Sequence, residues 1–214
     1  MSNSVLVGLV GESPVVEDFP LGPQLARRLR AGPWDDRIVQ VEAMNWGAVH
    51  IVQGLEPQRA QFERAVLVSC VERGMPAGTL RFGIWQHERM DALALQDRIY
   101  EAVTGIVSLD NLLVIGEHFN VWPAEVLTIE LEAPQTLFGD MAMIIGEMGG
   151  EGVPIDWSAA IGFDLLACID AIESATRRVV AQGARAALPW EPRSLATMMP
   201  LEHWNVMTPS FVTH

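Results

Sequence analysis

The chain has 214 residues, 50 % hydrophobic and 19 % charged, enough for one domain with a sizeable core. Its 27 acidic residues against 14 basic ones leave a formal net charge of −13, which argues against nucleic acid or an anionic membrane surface as partner. Every basic residue is arginine, so Schiff-base and P-loop lysine chemistry are excluded.

The first segment, Ser4 to Leu29, reads as strand, glycine turn and helix. Val5, Leu6, Val7, Leu9 and Val10 form an apolar run closed by Gly8 and Gly11, the pattern of a strand buried on both faces. A loop with Pro14, Glu17, Asp18 and Pro20 leads to Gly22-Pro23, where proline suits the first turn of a helix because its missing N–H would have no partner there. Leu25, Ala26 and Leu29 make the apolar stripe of that helix, and Gly32-Pro33 stops it. The GLVGES stretch lacks the third glycine of a dinucleotide fingerprint and the Gly-Lys-Ser/Thr of a P-loop.

Arg37 to Ala43 is the expected second strand, followed by weak helical character from Met44 to Leu55 and a polar helical turn from Pro57 to Arg64. Ala65 to Val71 is a buried strand, and Thr79 to Trp85 another, with Leu80, Phe82 and Ile84 on one face. A helix is expected over Ala92 to Val103. Ser108 caps a further one running to Phe119, with Leu109, Leu112, Leu113 and Phe119 inward. Val126 to Leu131 is the last strand. Phe163 to Gln182 is a long helix with Leu166, Ile169, Ile172 and Val179 on one stripe and Gly183 as its stop.

Strands alternating with helices predict an α/β fold of the phosphorylase/hydrolase-like kind, three layers α/β/α around a mostly parallel sheet of about five strands. The expected domain spans residues 1–183 and carries a Gly- and Met-rich insert at 139–154; an extended tail, 184–214, lies outside the core. Insert and tail read either as a surface loop and a draped tail or, through their Met, Trp and Phe, as a docking surface. No basic leader, no apolar stretch of membrane-spanning length and only two distant cysteines, Cys70 and Cys168, point to a cytoplasmic protein with no membrane partner.

The order of these pieces resembles the hydrogenase maturation endopeptidases, which clip a C-terminal extension from the large subunit of nickel–iron hydrogenase after nickel insertion. Their opening pattern is a strand, Gly-Asn, a loop with two acids, Gly-Val-Gly-Pro and a helix; GLVGESPVVEDFPLGPQLARRL follows it with one extra loop residue. Their middle strand ends in Asp-Ala ahead of a Pro-Gly-Thr turn. Here AVLVSCVERGMPAGTLRF has the strand and PAGT but Ser69-Cys70-Val71 in place of Asp-Ala. Their next signature is a His four positions ahead of a Leu-Ala-Asp helix start. GIVSLDNLLVIGEHFNVWPAEVLTIEL keeps the helix and the final strand, with Gly105 where the His stands. Glu132 to Gln135 and the Phe163–Gln182 helix match the family's closing segments, so the resemblance covers Val5 to Gln182.

The resemblance implies a metal-contacting trio of first-loop acid, Asp and His that reads the nickel of the precursor. Phe19, Cys70 and Gly105 align with it, or Asp18 in the first place if the loop shifts by one. Phenylalanine and glycine offer no side-chain donor, so the chain reads as a proteolytically inactive accessory factor for hydrogenase assembly. It would bind a nickel–iron hydrogenase subunit or another maturation protein and need no cofactor of its own. The alternative is an active metal-assisted endopeptidase with a site rebuilt from Glu17 or Asp18, Cys70 and a relocated histidine, His87 or His118; the nickel would then be the partner's. Taken as residues alone, Cys70 also reads as a small buried hydrophobe and His118 as a cation at a helix end. Glu12, Glu17 and Asp18 also read as a wet loop ahead of a helix N-terminus. No nucleophile elbow is present.

Overall fold

The computed structural model describes residues 4–11, 20–34, 37–103, 108–134, 158–159 and 164–199, the side chains of 101–103 excepted. The loop acids Glu12, Glu17 and Asp18, with Phe19, Gly105, the insert 139–154 and the tail beyond 199, lie outside the described residues.

Six strands form one sheet: β1 (Ser4–Val10), β2 (Ile38–Met44), β3 (Phe62–Val71), β4 (Leu80–Trp85), β5 (Glu125–Glu132) and β6 (Trp190–Arg193). Their order across the sheet is β2-β1-β3-β5-β4-β6. β2, β1, β3 and β5 run parallel; β4 is antiparallel to β5, and β6 is parallel to β4. The sheet is thus mostly parallel, as the alternation of strands and helices requires.

Helices cover both faces. α1 (Pro23–Arg30) and α5 (Leu165–Gln182) pack on one side, where Val5, Val7, Leu9, Val66, Val68, Leu127 and Ile129 meet Leu25, Leu29, Ile169, Ile172 and Val179. α2 (Ala48–Leu55), α3 (Ala92–Val103) and α4 (Leu109–His118) pack on the other, over Leu6, Val10, Ala65, Leu67 and Val126. β1 contributes to both cores because alternate side chains leave opposite faces and both faces are covered. α1 begins as expected, with Gly22 at the N-cap, Pro23 at the first helical position and Leu25, Ala26 and Leu29 buried. Ser108 caps α4 by accepting from the Asn111 N–H at 3.1 Å, and Asp164 caps α5 by accepting from the Ala167 N–H at 2.9 Å.

α5 stops at Gly183, whose φ is +60°. A Cβ there would run into the Arg64 guanidinium and the Glu125 carboxylate. Those two side chains pair at 2.5 Å, Arg64 Nη1 donates to the Val180 carbonyl at 3.0 Å, and Glu125 accepts from the Ala184 N–H at 2.8 Å. Only glycine fits both the backbone and the space.

Four expectations need correction. The polar turn is a 3-10 helix at Glu56–Gln61, and the residues after it, from Phe62, already belong to β3. Phe119 lies just past α4 and is 43 % exposed. Leu166 is 47 % exposed and Leu165 takes its place on the buried side of α5, while Ile169, Ile172 and Val179 are buried as expected. Lastly, part of the stretch read as a tail outside the core is a sixth strand: Phe82 to Trp85 pair with Trp190 to Arg193, and Trp190 stacks edge-on against Phe82 with ring centroids 6.0 Å apart.

Candidate functional site

The chain leaves β1 toward β2 on one side and returns to β3 on the other, so the carboxyl ends of β1 and β3 flank the point where strand order reverses. Crevices of α/β sheets open there. The described residues at that point are Gly11, Ser69 and Cys70. Val10 pairs with Ser69, Ser69 Oγ donates to the Val10 carbonyl at 3.2 Å, and the Gly11 N–H donates to the Met44 carbonyl at 2.9 Å. The structure therefore brings Gly11, Ser69 and Cys70 to one edge.

Cys70 alternates with Val66 and Val68, so its side chain leaves β3 toward α1 and α5 and packs against that core. Burial pushes its thiol well above the ordinary range, and neighbouring Cys168 on α5 adds to the shift. Cys168 is itself raised to about 11, by burial first and by Asp164 second. Both thiols stay protonated at neutral pH, and a protonated thiol is a poor metal ligand and a poor nucleophile.

The structure does not bring His118 or His87 to Cys70. Glu117, on the last turn of α4, accepts from Trp85 Nε1 at 3.0 Å and from or beside His87 Nδ1 at 2.9 Å; His87 Nε2 lies 3.2 Å from the Ala124 carbonyl, just ahead of β5. Both histidines thus sit at the amino end of β5, whereas Cys70 pairs with Leu131 near its carboxyl end. The gap along the strand is roughly 20 Å at the usual rise per residue, and α4 covers the opposite face from the one Cys70 enters. His118 is exposed, its ring edge-on to Phe119 with centroids 5.1 Å apart. Among the described residues no group of three His, Cys, Asp or Glu side chains could hold a metal ion. The described donor set does not fit a nickel or zinc centre, which needs about three converging, deprotonated ligands.

One strand over, the same edge carries a buried ionic cluster that the sequence did not point to. On β5 the side chains of Thr128, Glu130 and Glu132 share the α4 face. Arg73, just past β3, donates through Nε to Glu130 at 2.6 Å and through Nη2 and Nη1 to the two Asp110 oxygens at 2.9 and 3.3 Å. Arg193, from β6, donates through Nη2 to Asp110 at 2.6 Å and through Nη1 to the Thr197 carbonyl and hydroxyl at 3.0 and 2.9 Å. Its Nε stands 2.8 Å from Glu130 Oε1, but the N–H is not aimed at that oxygen and makes no hydrogen bond. Thr128 donates to Glu130 at 2.9 Å. Glu132 Oε1 accepts three consecutive backbone N–H groups, from Arg73, Gly74 and Met75, at 2.7, 2.8 and 3.1 Å, while its Oε2 has no partner among the described residues.

Burial alone would raise the Asp110 carboxyl, but the Arg73 hydrogen bonds and the charges of Arg73 and Arg193 outweigh it and hold the group below its ordinary value. Burial draws Arg193 down, while the same carboxylates keep Arg73 above its usual value against burial. Asp110 and Glu130 both face Arg73 and Arg193; Glu132 has no cation beside it and is held by three backbone N–H groups through one oxygen only. What the cluster does is mechanical: it ties the β3–β4 turn, the first turn of α4, β5 and β6 into one rigid edge beside the crevice. Two carboxylates at alternate positions of a strand covered on both faces were the available signal, since such groups are found buried only when paired.

No protein-family profile and no curated protein matches the chain. Among solved structures it aligns with the crystal structure of hydrogenase 2 maturation peptidase from Thaumarchaeota archaeon SCGC_AB-539-E09, at 20 % identity and a TM-score of 0.37, over 81 % of this chain and 97 % of that one. The likeness assigns no role to any residue.

Proposed function

We propose that the chain is a hydrogenase maturation protease-like protein without proteolytic activity, an accessory factor that binds a nickel–iron hydrogenase subunit or another maturation protein during assembly. Two things support the reading: the motif order from Val5 to Gln182 and, above all, the residue next to the end of β3. Where the resembling family has an aspartate that touches metal, this chain has Cys70, packed toward α1 and α5 with its thiol raised by burial. An ionised carboxylate at that edge would serve a divalent ion; a protonated thiol turned into a core does not. Gly105, at the aligned histidine position, has no side chain to offer in any conformation.

The test has two arms. Purified protein is expected to carry far less than one nickel or zinc per chain by elemental analysis, and Cys70→Ala is expected to leave capture of a hydrogenase subunit or maturation protein unchanged. Incubation with nickel-loaded large-subunit precursor is expected to leave the precursor uncut. One metal per chain that disappears in Cys70→Ala, together with precursor cleavage, would instead establish a metal-assisted endopeptidase. Pull-downs that recover no hydrogenase or maturation protein from a hydrogenase-producing source would remove the accessory role.

A further inference from the structure

β2 pairs with β1 along its whole length, Ser4 with Ile38 through Val10 with Met44, and has no neighbour on its outer side among the described residues. Open edges of this length are normally blunted by a proline, a lysine, a bulge or an inward charge, because they present a row of unpaired backbone groups. Of these the IVQVEAM strand has only one, the charge of Glu42, which lies on the α2 face within reach of the Gln40 amide; it has no proline, lysine or bulge. The edge also carries the two most exposed large hydrophobic side chains of this region, Ile38 as its first residue and Trp46 two residues past its end, both at 69 %. Beside it, on the α2 side, runs an open groove of about 220 Å³ lined by Gln40, Glu42, Met44, Trp46, His50 and Gln58.

We propose that this edge is an interface with a second copy of the chain, formed by antiparallel pairing of β2 with β2 of the partner about a two-fold axis at Val41. The sequence of the strand is self-complementary in that one register. Val41 meets its own copy, Val39 meets Ala43, Ile38 meets Met44, and Gln40 meets Glu42, so apolar residues face apolar ones and each carboxylate faces an amide. Moving the axis one residue, to Gln40, sets Ile38 against Glu42 and loses the match. The same pairing also accounts for the exposed side chains. Ile38 of one copy comes over the strand at Met44, which is already buried in its own core, and diagonally beside Trp46 of the other, so Ile38 and Trp46 cover each other at both ends of the strand. Within one copy Gln40 Nε2 donates to Glu42 Oε1 at 2.8 Å and to Gln58 Oε1 at 3.1 Å, so both of its N–H groups are engaged and the pairing would have one of them change partner to the other copy's Glu42. A foreign extended segment could satisfy the backbone edge, but nothing in its chemistry would be required to repeat this pattern.

Sedimentation velocity on the full chain over a concentration series is expected to show a species of twice the 23.5 kDa chain mass. In a Cys70→Ala/Cys168→Ala background, Val41→Cys is expected to form a covalent dimer under mild oxidation, because residues directly opposite in an antiparallel pair lie within disulfide reach, whereas Val39→Cys is not. Gln40→Glu sets two carboxylate pairs across the axis and is expected to weaken association about tenfold. Gln40→Glu/Glu42→Gln, which restores amide against carboxylate, is expected to recover it. A monomer at every concentration overturns the proposal. So does a dimer that Gln40→Glu leaves unchanged and Val41→Cys does not cross-link, or a monomer whose β2 edge captures an extended segment of another protein.

Discussion

Asp110→Asn is expected to cost about 3–5 kcal/mol of folding stability, the range for removing one partner of a buried ion pair. Asp110 accepts from Arg73, from Arg193 and from the Met199 N–H at 2.9 Å, and its side chain is 6 % exposed. Asparagine keeps the shape but leaves two guanidinium groups, which stay charged at any accessible pH, sharing Glu130 alone. Urea unfolding at neutral pH reads the loss. The pH dependence gives a second, independent signature. A carboxyl whose folded value lies below its ordinary value of 3.8 contributes stability that is present above that value and is lost as pH falls through the lower, folded one. The gap between wild type and Asp110→Asn should therefore be flat from neutral pH down to about 4 and close only below it. Arg81→Ala provides the contrast. Its ion pair with Glu191 is exposed at the sheet edge, with side chains 27 % and 49 % accessible, and should cost no more than about 1 kcal/mol. Equal losses for the two variants would mean that the cluster is not the structural tie described.

The cluster also frames how the crevice is built. Asp110 reaches Met199 through its carboxylate, and Arg98 on α3 donates to the Met199 carbonyl at 2.7 Å. Both backbone groups of one residue of the C-terminal segment are therefore held by the helices beside the sheet. The carboxyl ends of β3 and β5, the first turn of α4 and residues 193–199 form one connected piece, so the strand ends next to Cys70 are fixed by this ionic network. A scaffold of that kind suits recognition through a preset surface, which the accessory reading requires.

How much of this could be read from the residues depends on whether the signal was local. β1, α1, β3, β5 and α5 were legible because their apolar patterns repeat within a few residues and their ends carry Gly, Pro or Ser with a definite steric or capping role. β6 was not legible. Trp190–Arg193 is four residues long and contains Pro192, a poor strand former tolerated here because the strand lies at the sheet edge. Its place is set by pairing with β4, more than a hundred residues earlier. On α5 the stripe through Ile169, Ile172 and Val179 was legible, but Leu166 was put on it in place of Leu165 because both are apolar and differ by about 100° around the helix; Cys168 and Thr176, weak hydrophobic signals, also lie on the buried side. Val126 to Leu131 was legible as a strand, but the burial of Glu130 was not, because its partners Arg73 and Arg193 lie far from it in sequence, one on either side. At the candidate crevice, Cys70 was placed correctly at the end of β3, whereas the idea of pairing it with His118 failed on topology. A helix that returns to the start of the next parallel strand carries its last residue to the far end of the sheet.

Gly83→Ala is expected to be as costly as a large core truncation, although it adds one methyl group in the middle of a strand. Gly83 pairs with Thr128 on β5 and Glu191 on β6, and the Arg193 side chain crosses directly over it on the way to Asp110 and Glu130. A Cβ at this position would overlap Arg193 Cγ and Thr128 Oγ1, and a Cγ close to its own backbone cannot swing clear as the tip of a long side chain can. The missing side chain is therefore a passage for another residue's side chain, one form of the close approach that a strand glycine permits. Alanine should push Arg193 out of the cluster, at about 3 kcal/mol from overpacking and from the charge left behind on Asp110. The loss should be local before it is global: amide exchange in 190–199 should accelerate first, while β1 and β3 keep their protection. A double-mutant cycle then isolates the cause. Because Arg193→Ala already empties the passage, adding Gly83→Ala to it should cost far less than in the wild-type background, leaving only the contact with Thr128. Additive losses would mean that Gly83 is required for some reason other than the path of Arg193.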